Sequence, residues 1–286
     1  MIDLHTHSYF SDGSESPARV VELAKRAGLS AIALTDHDRL DGLEEASKKA
    51  TELGITLVAG CELSCVWKFS SKEKEVSCHM LIYFVDMGIE PLSSELLRLQ
   101  NDRDTRNERL IGKLNELGFE ISIEEVSLMA KGQGIGRPHF AQALVNHGYV
   151  QSVQDAFDQI LGSTGKAYIP KARLTPEDAI NLANASGGVA VVAHPLFLVD
   201  NVKDLVEPLR ELRSFGLVGL ESYYGRYTKS ERQALVSLAR DLDLVPTGGS
   251  DYHGSYKPDL NVGTGLGDLK VPDQVLEELV SRRAST

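Results

Sequence analysis

Two rhythms of apolar residues alternate along this chain. Short, nearly continuous apolar runs occupy residues 1–5, 31–35, 56–60, 79–85, 189–193, 217–221 and 244–247. Each has the length and composition of a strand buried on both faces. Between them, apolar positions recur every three to four residues, as on one side of a helix. Val20, Val21, Leu23, Ala24 and Ala27 form such a stripe, with Ser16-Pro17 as N-cap and first-turn proline and Gly28 as the stop. Asp41 with Glu44 has the spacing of a capping box for a helix ending at Gly54. Thr175-Pro176-Glu177-Asp178 opens another helix, and 202–214, 229–242 and 271–283 also read as helical. Strand, helix, strand at this pitch predicts a parallel sheet.

From 92 to about 160 the rhythm is helical only. Leu110, Ile111, Leu114 and Leu117 mark one amphipathic face, and Ser122-x-x-Glu125 caps a second helix. A glycine-rich turn at 132–138 precedes a third, and Val153, Phe157 and Ile160 suggest a fourth. The chain therefore reads as α/β. A seven-stranded (β/α) barrel is expected from 1–91 and 168–286, with a helical insert or cap at 92–167. In parallel α/β barrels the C-terminal strand ends meet at one mouth. Both flanks of the insert would then supply residues to one place.

At 286 residues the chain can bury a large core without staples. A net charge of −11 argues against a surface that coats nucleic acid. It leaves room for a small anion held through divalent cations. No apolar run approaches the ~20 residues that span a bilayer. The start, Met-Ile-Asp-Leu-His, lacks the basic and apolar regions of a signal peptide. Cys61, Cys65 and Cys78 read as reduced, buried small side chains, so the expectation is a cytoplasmic protein with no membrane partner.

Imidazoles and carboxylates stand where these apolar runs stop. They are His5-Thr6-His7, Thr35-Asp36-His37, Gly60-Cys61-Glu62, Ala193-His194-Pro195 and Ser250-Asp251-Tyr252-His253, while Cys78-His79 opens a run. His5 and His7 share one side of an extended segment, as do Asp251 and His253, because strand side chains repeat every two residues. Neutral imidazoles with carboxylates suit zinc, manganese or iron. Each residue also has an ordinary role open to it: Asp12 in an Asx-turn, His37 in a loop beside Asp36 and Asp38, His194 at a strand end. Convergence of all of them on one mouth argues for a multi-metal site.

The ordered set His5-x-His7, Ser11-Asp12-Gly13, Thr35-Asp36-His37-Asp38, Gly60-Cys61-Glu62, His79, Ala193-His194-Pro195 and Ser250-Asp251-Tyr252-His253 resembles the motifs of the PHP (polymerase and histidinol phosphatase) family. The resemblance covers essentially the whole chain. Within the family the chain is most similar to stand-alone nucleotide phosphoesterases of the bacterial 3′,5′-nucleoside bisphosphate phosphatase and 5′–3′ exoribonuclease type, which also carry a helical insert before the His-Pro motif. The resemblance implies a distorted seven-stranded barrel holding three divalent metals. It implies His5, His7, Glu62 and Asp251 on the first, Asp12, His37 and His253 on the second, and Glu62, His79 and His194 on the third, with Glu62 bridging. The nucleophile would be a metal-bridging hydroxide held by Glu62, His194 and Asp251. Some family members have histidine at the position of Asp12. The carboxylate here makes the second site richer in oxygen and favours manganese or iron, manganese first, with zinc as a further alternative.

Phosphate must be gripped as well. Arg137 and His139 follow the glycine turn at a helix start, where free amides and a guanidinium favour anions. Lys171 and Arg226 are further candidates, and Tyr223 or Tyr227 could stack a base. Each of these is also explained as an ordinary turn or rim residue. The turn at 132–136 lacks the lysine and preceding strand of a Walker loop, and no Ser/His/Asp triad is apparent. His147 reads as structural, and Asp36 and Asp38 as partners that orient histidines. The expected substrate is the 3′-phosphate of a nucleoside 3′,5′-bisphosphate, or the 5′ end of a short RNA cut 5′–3′. One alternative is a histidinol-phosphate phosphatase, against which the long insert and Asp12 weigh. Another is a non-catalytic, metal-stabilised scaffold that senses a nucleotide.

Overall fold

The computed structural model describes residues 1–68, 75–85, 88–130, 135–170 and 173–283. The chain divides into two compact units, Met1–Glu95 with Arg173–Thr286, and Leu96–Ala172. The strands are β1 (Ile2–Asp3), β2 (Ala31–Leu34), β3 (Thr56–Trp67), β4 (Val76–Tyr83), β5 (Val189–Val192), β6 (Gly219–Tyr224) and β7 (Val245–Gly249). The helices are α1 (Pro17–Arg26), α2 (Leu43–Leu53), α3 (Leu92–Glu116), α4 (Ile123–Ala130), α5 (Arg137–Asn146), α6 (Val153–Ala156), α7 (Pro176–Ala185), α8 (Val206–Ser214), α9 (Lys229–Asp241) and α10 (Gln274–Arg283).

All seven strands lie in one sheet in chain order. Leu4 N donates to Gly248 O at 3.1 Å, Asp251 N to His5 O at 2.8 Å and His7 N to Tyr252 O at 3.0 Å. The backbone beyond β1 thus pairs with that beyond β7, and the sheet nearly closes into a barrel. Gly249 permits this approach, since a Cβ there would lie 2.4 Å from the Cβ of His5. Ile2, Leu4, Ala33, Val58, Leu81 and Val191 form part of the apolar core, joined by Val275 and Leu279 of α10.

The sheet is not wholly parallel, contrary to the expectation from sequence. β4 runs antiparallel to both β3 and β5, while the other neighbours are parallel. The reason is the short connection over residues 68–75, too few for the crossover of a dozen or more residues that a parallel pair needs. Nor does the third strand stop at Gly60. It continues to Trp67, so Glu62 lies mid-strand, and His79 lies inside β4 rather than at its start. Polar Glu62 and Ser64 interrupt the apolar run without ending the strand because both find polar partners. Ser64 donates from N and Oγ to the Asp38 carboxylate at 2.8 and 2.9 Å.

Side-chain caps close three helix starts, at Ser16 and Thr175 as expected and also at Thr228. Ser16 Oγ accepts from Arg19 N, and Thr175 with Asp178 and Thr228 with Glu231 form reciprocal capping boxes. The box expected at Asp41 does not form. Gly42 is the N-cap of α2, Asp41 is drawn to Arg39 at 2.9 Å, and Glu44 pairs with Lys48 at 2.6 Å.

The second unit has its own core of Leu110, Leu114, Phe140, Leu144 and Ile160. Within it Ser122 Oγ accepts from Glu125 N as expected, and α6 continues as a π-helical turn over Phe157–Leu161. Among the described residues, no helix is long and apolar enough to cross a membrane.

Candidate metal centre

Glu62, 1% exposed, is the hub of the site. Its Oε2 lies 3.2 Å from His5 Nε2, 3.1 Å from His7 Nε2 and 3.3 Å from His37 Nδ1. Its Oε1 lies 3.0 Å from both His79 Nδ1 and His194 Nε2. Asp251 Oδ1 stands 3.5 Å from His5 Nε2 and 3.4 Å from His7 Nε2. Asp12, on the exposed rim, is 3.2 Å from His253 Nε2 and 3.6 Å from His37 Nε2.

Three groups of donors lie close enough to share an ion. They are His5, His7 and Asp251; His7, Asp12, His37 and His253; and His37, Glu62 and His79. Against the sets implied by the resemblance, the first group lacks Glu62, the second gains His7, and the third has His37 in place of His194. His194 Nε2 sits beside Glu62 Oε1 and 3.3 Å from His79 Nδ1.

A further set of residues, of which only Asp36 was singled out in the sequence, aims these donors. His5 Nδ1 donates to buried Glu221 Oε1 at 2.8 Å, which turns the Nε2 lone pair toward Glu62 and Asp251. Glu221 Oε2 accepts from His194 N at 2.6 Å. Asp251 Oδ2 accepts from Tyr224 Oη and Lys257 Nζ, both at 2.7 Å, which leaves Oδ1 facing the imidazoles. His253 Nδ1 donates to Asp251 O at 2.8 Å, leaving Nε2 toward Asp12. The Asp3 carboxylate accepts from Ser250 N, Gly263 N and His5 N, tying the first strand to the loop after the last. Asp36 acts on His7 through Ser11: Ser11 Oγ donates to Asp36 at 2.6 Å and lies 3.4 Å from His7 Nδ1. His194, Asp251 and Asp38 all have positive φ (28°, 56° and 52°), a conformation that non-glycine residues rarely adopt and that gathers at functional sites.

The electrostatics call for positive charge. Burial alone would lower the His7 imidazole, but Asp251, Glu62 and Asp12 outweigh it and raise it to about 9. Burial likewise opposes the charge on His5, yet Glu221, Glu62 and Asp251 hold it well above its ordinary value. His37 is lowered to about 3 by burial, with repulsion from His7 and His79 added, despite the pull of Glu62 and Asp12. Burial resists ionisation of Glu62, but the imidazoles of His37, His5 and His79 hold its carboxyl well below its usual range. Donor atoms some 3.0 to 3.6 Å apart have the spacing of ligands on one cation at bonds of about 2.0–2.2 Å. The buried Nδ1 atoms of His37 and His194 lack hydrogen-bond partners among the described residues, an arrangement uncommon without an unseen ion or water. The nitrogen and oxygen donors fit divalent metals.

The PHP domain model matches residues 3–185. This chain belongs to the PHP family. Relatives of this PHP protein include the 5′-3′ exoribonuclease of Haemophilus influenzae, 31% identical over 255 residues that cover 88% of this chain and 89% of the relative. The phosphoribosyl 1,2-cyclic phosphate 1,2-diphosphodiesterase of Eggerthella lenta is 30% identical over 258 residues, 89% and 94% of the two chains. The 3′,5′-nucleoside bisphosphate phosphatase of Chromobacterium violaceum is 29% identical over 272 residues, 92% and 90%. Among solved structures, a candidate metal-dependent phosphoesterase from Bifidobacterium adolescentis matches with a TM-score of 0.80 at 32% identity, covering 98% of this chain and 96% of the other. As a PHP protein this chain is a metal-dependent phosphoesterase, and hence a hydrolase.

The residues expected to grip substrate belong to both units. Arg137 and His139 start α5 in the second unit. Arg137 Nη2 donates to Ile169 O at 2.8 Å and its guanidinium lies 5.0 Å over the Tyr168 ring. His139 Nδ1 accepts from Gly136 N at 3.0 Å, closing the helix start. Lys171 lies outside the described residues. Tyr223 is turned to the barrel core rather than to the metal donors, whereas Arg226 stands near enough to Asp251 to feel its charge. Tyr223 packs against the barrel core with Arg240 and Glu278 as nearby charges, and Arg226 makes a two-point ion pair with Asp259 at 2.6 and 2.8 Å. The next residue, Tyr224, reaches the site instead, because neighbours along a strand face opposite sides. Tyr227 Oη accepts from Leu196 N at 2.8 Å. In the insert, His147 pairs with Glu125 at 2.8 Å. All three cysteines are buried, and burial, aided by Asp38 and Glu62, pushes the Cys61 thiol up so that it stays protonated.

Proposed function

We propose that this PHP enzyme removes the 3′-phosphate of nucleoside 3′,5′-bisphosphates, and that the same pocket accepts the 5′ end of short RNA for 5′–3′ release of nucleotides. The observation that carries this reading is Glu62, with five imidazoles around its two oxygens, in a chain 29% and 31% identical to a bisphosphate phosphatase and an exoribonuclease. Three divalent cations, manganese first, would supply a nucleophilic water near neutral pH and charge to offset the phosphoryl oxygens. His5, His7, Glu62 and Asp251 would hold one, Asp12, His37 and His253 another, and Glu62, His79 and His194 the third, so that Glu62 would serve the first and the third. Glu221, Tyr224 and Lys257 hold His5 and Asp251 in the orientation this needs.

Arg137, in the helical insert (92–167), would be a ligand for phosphate. A guanidinium has five N–H donors, so its bond to Ile169 O leaves capacity for a phosphate. Buried thiols are in keeping with action in the cytoplasm. Hydrolysis of a cyclic phosphate diester is a second reading, supported by the Eggerthella lenta relative at 30% identity.

The test is a substrate panel under one set of manganese conditions. It compares a nucleoside 3′,5′-bisphosphate, a mononucleotide, 5′-phosphorylated RNA, a phosphoribosyl cyclic phosphate and histidinol phosphate. The bisphosphate or the RNA is expected to turn over fastest, with activity lost in chelator and in His194→Ala. Preference for the cyclic diester would favour the second reading. Turnover untouched by both treatments would exclude a metal mechanism.

A further inference from the structure

A large apolar ring stands in water beside the metal donors. Phe197 is 63% exposed. Single exposed apolar residues are common, so exposure alone says little. Its placement says more. Phe197 ends the 3-10 helical turn Pro195–Phe197, directly after His194. Its ring centroid is 5.1 Å from that of His194, whose Nε2 is 3.0 Å from Glu62 Oε1. The ring meets Tyr224 nearly at right angles (5.6 Å, 86°) and Tyr227 likewise (6.3 Å, 77°).

The backbone under the ring is pinned at three points. Phe197 N donates to His194 O, Leu196 N to Tyr227 Oη, and His194 N to Glu221 Oε2. Tyr224 itself donates to Asp251. The ring is therefore supported by the same residues that orient the metal donors, and the rest of it faces solvent. Folding stability gives no reason for that, since burying such a ring is favourable.

The geometry points to Phe197 as the platform on which the nucleobase of the substrate stacks. This rests on the nucleotide reading given above. With its 3′-phosphate against the donors around Glu62, a nucleotide carries its base one sugar away, on the scale of the step from Glu62 through His194 to Phe197. Every base has a π-face, so a stacking platform grips nucleotides without reading their sequence. It also separates a nucleotide from a phosphate ester that has no base. Tyr223, expected from sequence to stack a base, is packed against the core, and Phe197 takes the role.

The experiment compares wild type, Phe197→Ala and Phe197→Trp on adenosine 3′,5′-bisphosphate and on methyl riboside 3,5-bisphosphate, which lacks the base. Loss of a base–aromatic stack should lower the ratio of kcat/KM for the nucleotide to that for the base-free ester by about 5- to 100-fold in Phe197→Ala. Phe197→Trp should restore it. As a second readout, the added indole fluorescence of Phe197→Trp, corrected for wild type, should be quenched by adenosine 3′,5′-bisphosphate and not by the base-free ester. An unchanged ratio in Phe197→Ala, or equal quenching by both compounds, overturns the stacking role. If wild type hydrolyses neither bisphosphate, the nucleotide-substrate reading fails on its own account, and the quenching comparison still decides whether a base sits on this ring.

Discussion

His5 and His7 sit two residues apart on one extended segment, yet their neighbours give them different work. Glu221 takes the Nδ1 proton of His5 as a hydrogen bond, whereas His7 is crowded by the carboxylates of Glu62 and Asp251. The His7 imidazole stands at about 9 against an ordinary 6.5. Proton binding there stabilises the metal-free fold, fully so below about 6.5, and that contribution is lost as pH rises through about 9. Metal binding has the opposite dependence, because a cation must displace the proton. The melting temperature of chelator-treated protein should therefore fall between pH 6.5 and 9, while its affinity for manganese rises. Calorimetry at pH 7 in two buffers of different ionisation enthalpy should register net proton release on manganese binding. No release would contradict a protonated His7 in the metal-free state.

The β3–β4 hairpin is the element that makes this barrel irregular and also brings Glu62 and His79 to the site. Its register pairs Glu62 with Leu81 and Ser64 with His79. At its open end the two strands lie close together at Gly60, where a Cβ would lie 2.7 Å from Ile82 O. That oxygen belongs to the sheet backbone and cannot step aside as a side chain would. Gly60→Ala should cost about 1–3 kcal/mol in urea unfolding, the usual range for overpacking, and should reduce retained metal because Glu62 is two residues away. Wild-type stability and metal content in that variant would mean that the strands have room to separate.

Each of the two units has its own apolar core, and every expected metal donor belongs to the unit built from Met1–Glu95 and Arg173–Thr286. A ligand stabilises what it binds, by about 2.7 kcal/mol at a hundred times its dissociation constant. In scanning calorimetry the intact chain should show two transitions, with manganese raising only the one that belongs to the barrel. A single transition shifted as a whole would show that the units unfold together.

Much of this architecture is legible in the residues alone, because strands and helices answer to local apolar periodicity and caps answer to local hydrogen bonding. Ser16, Thr175 and the His5/His7 pair are of that kind. The direction of β4 is not, since it depends on how short a connection must return the chain. Glu62 looks like a strand end until the sheet shows partners on both sides of it. Glu221 ends an apolar run just as the recognised donors do, but its partner His5 is 216 positions away, and Asp3 meets Ser250 across 247. Such pairings exist only once the barrel closes. The choice of Tyr224 over Tyr223 turns on a register shift between Glu221 and Tyr223, and one displaced residue reverses which side chains face the site. Local pattern set the elements and the donor types; which donor meets which partner was left to the tertiary fold, because side-chain facing and long-range hydrogen bonds are properties of strands already paired.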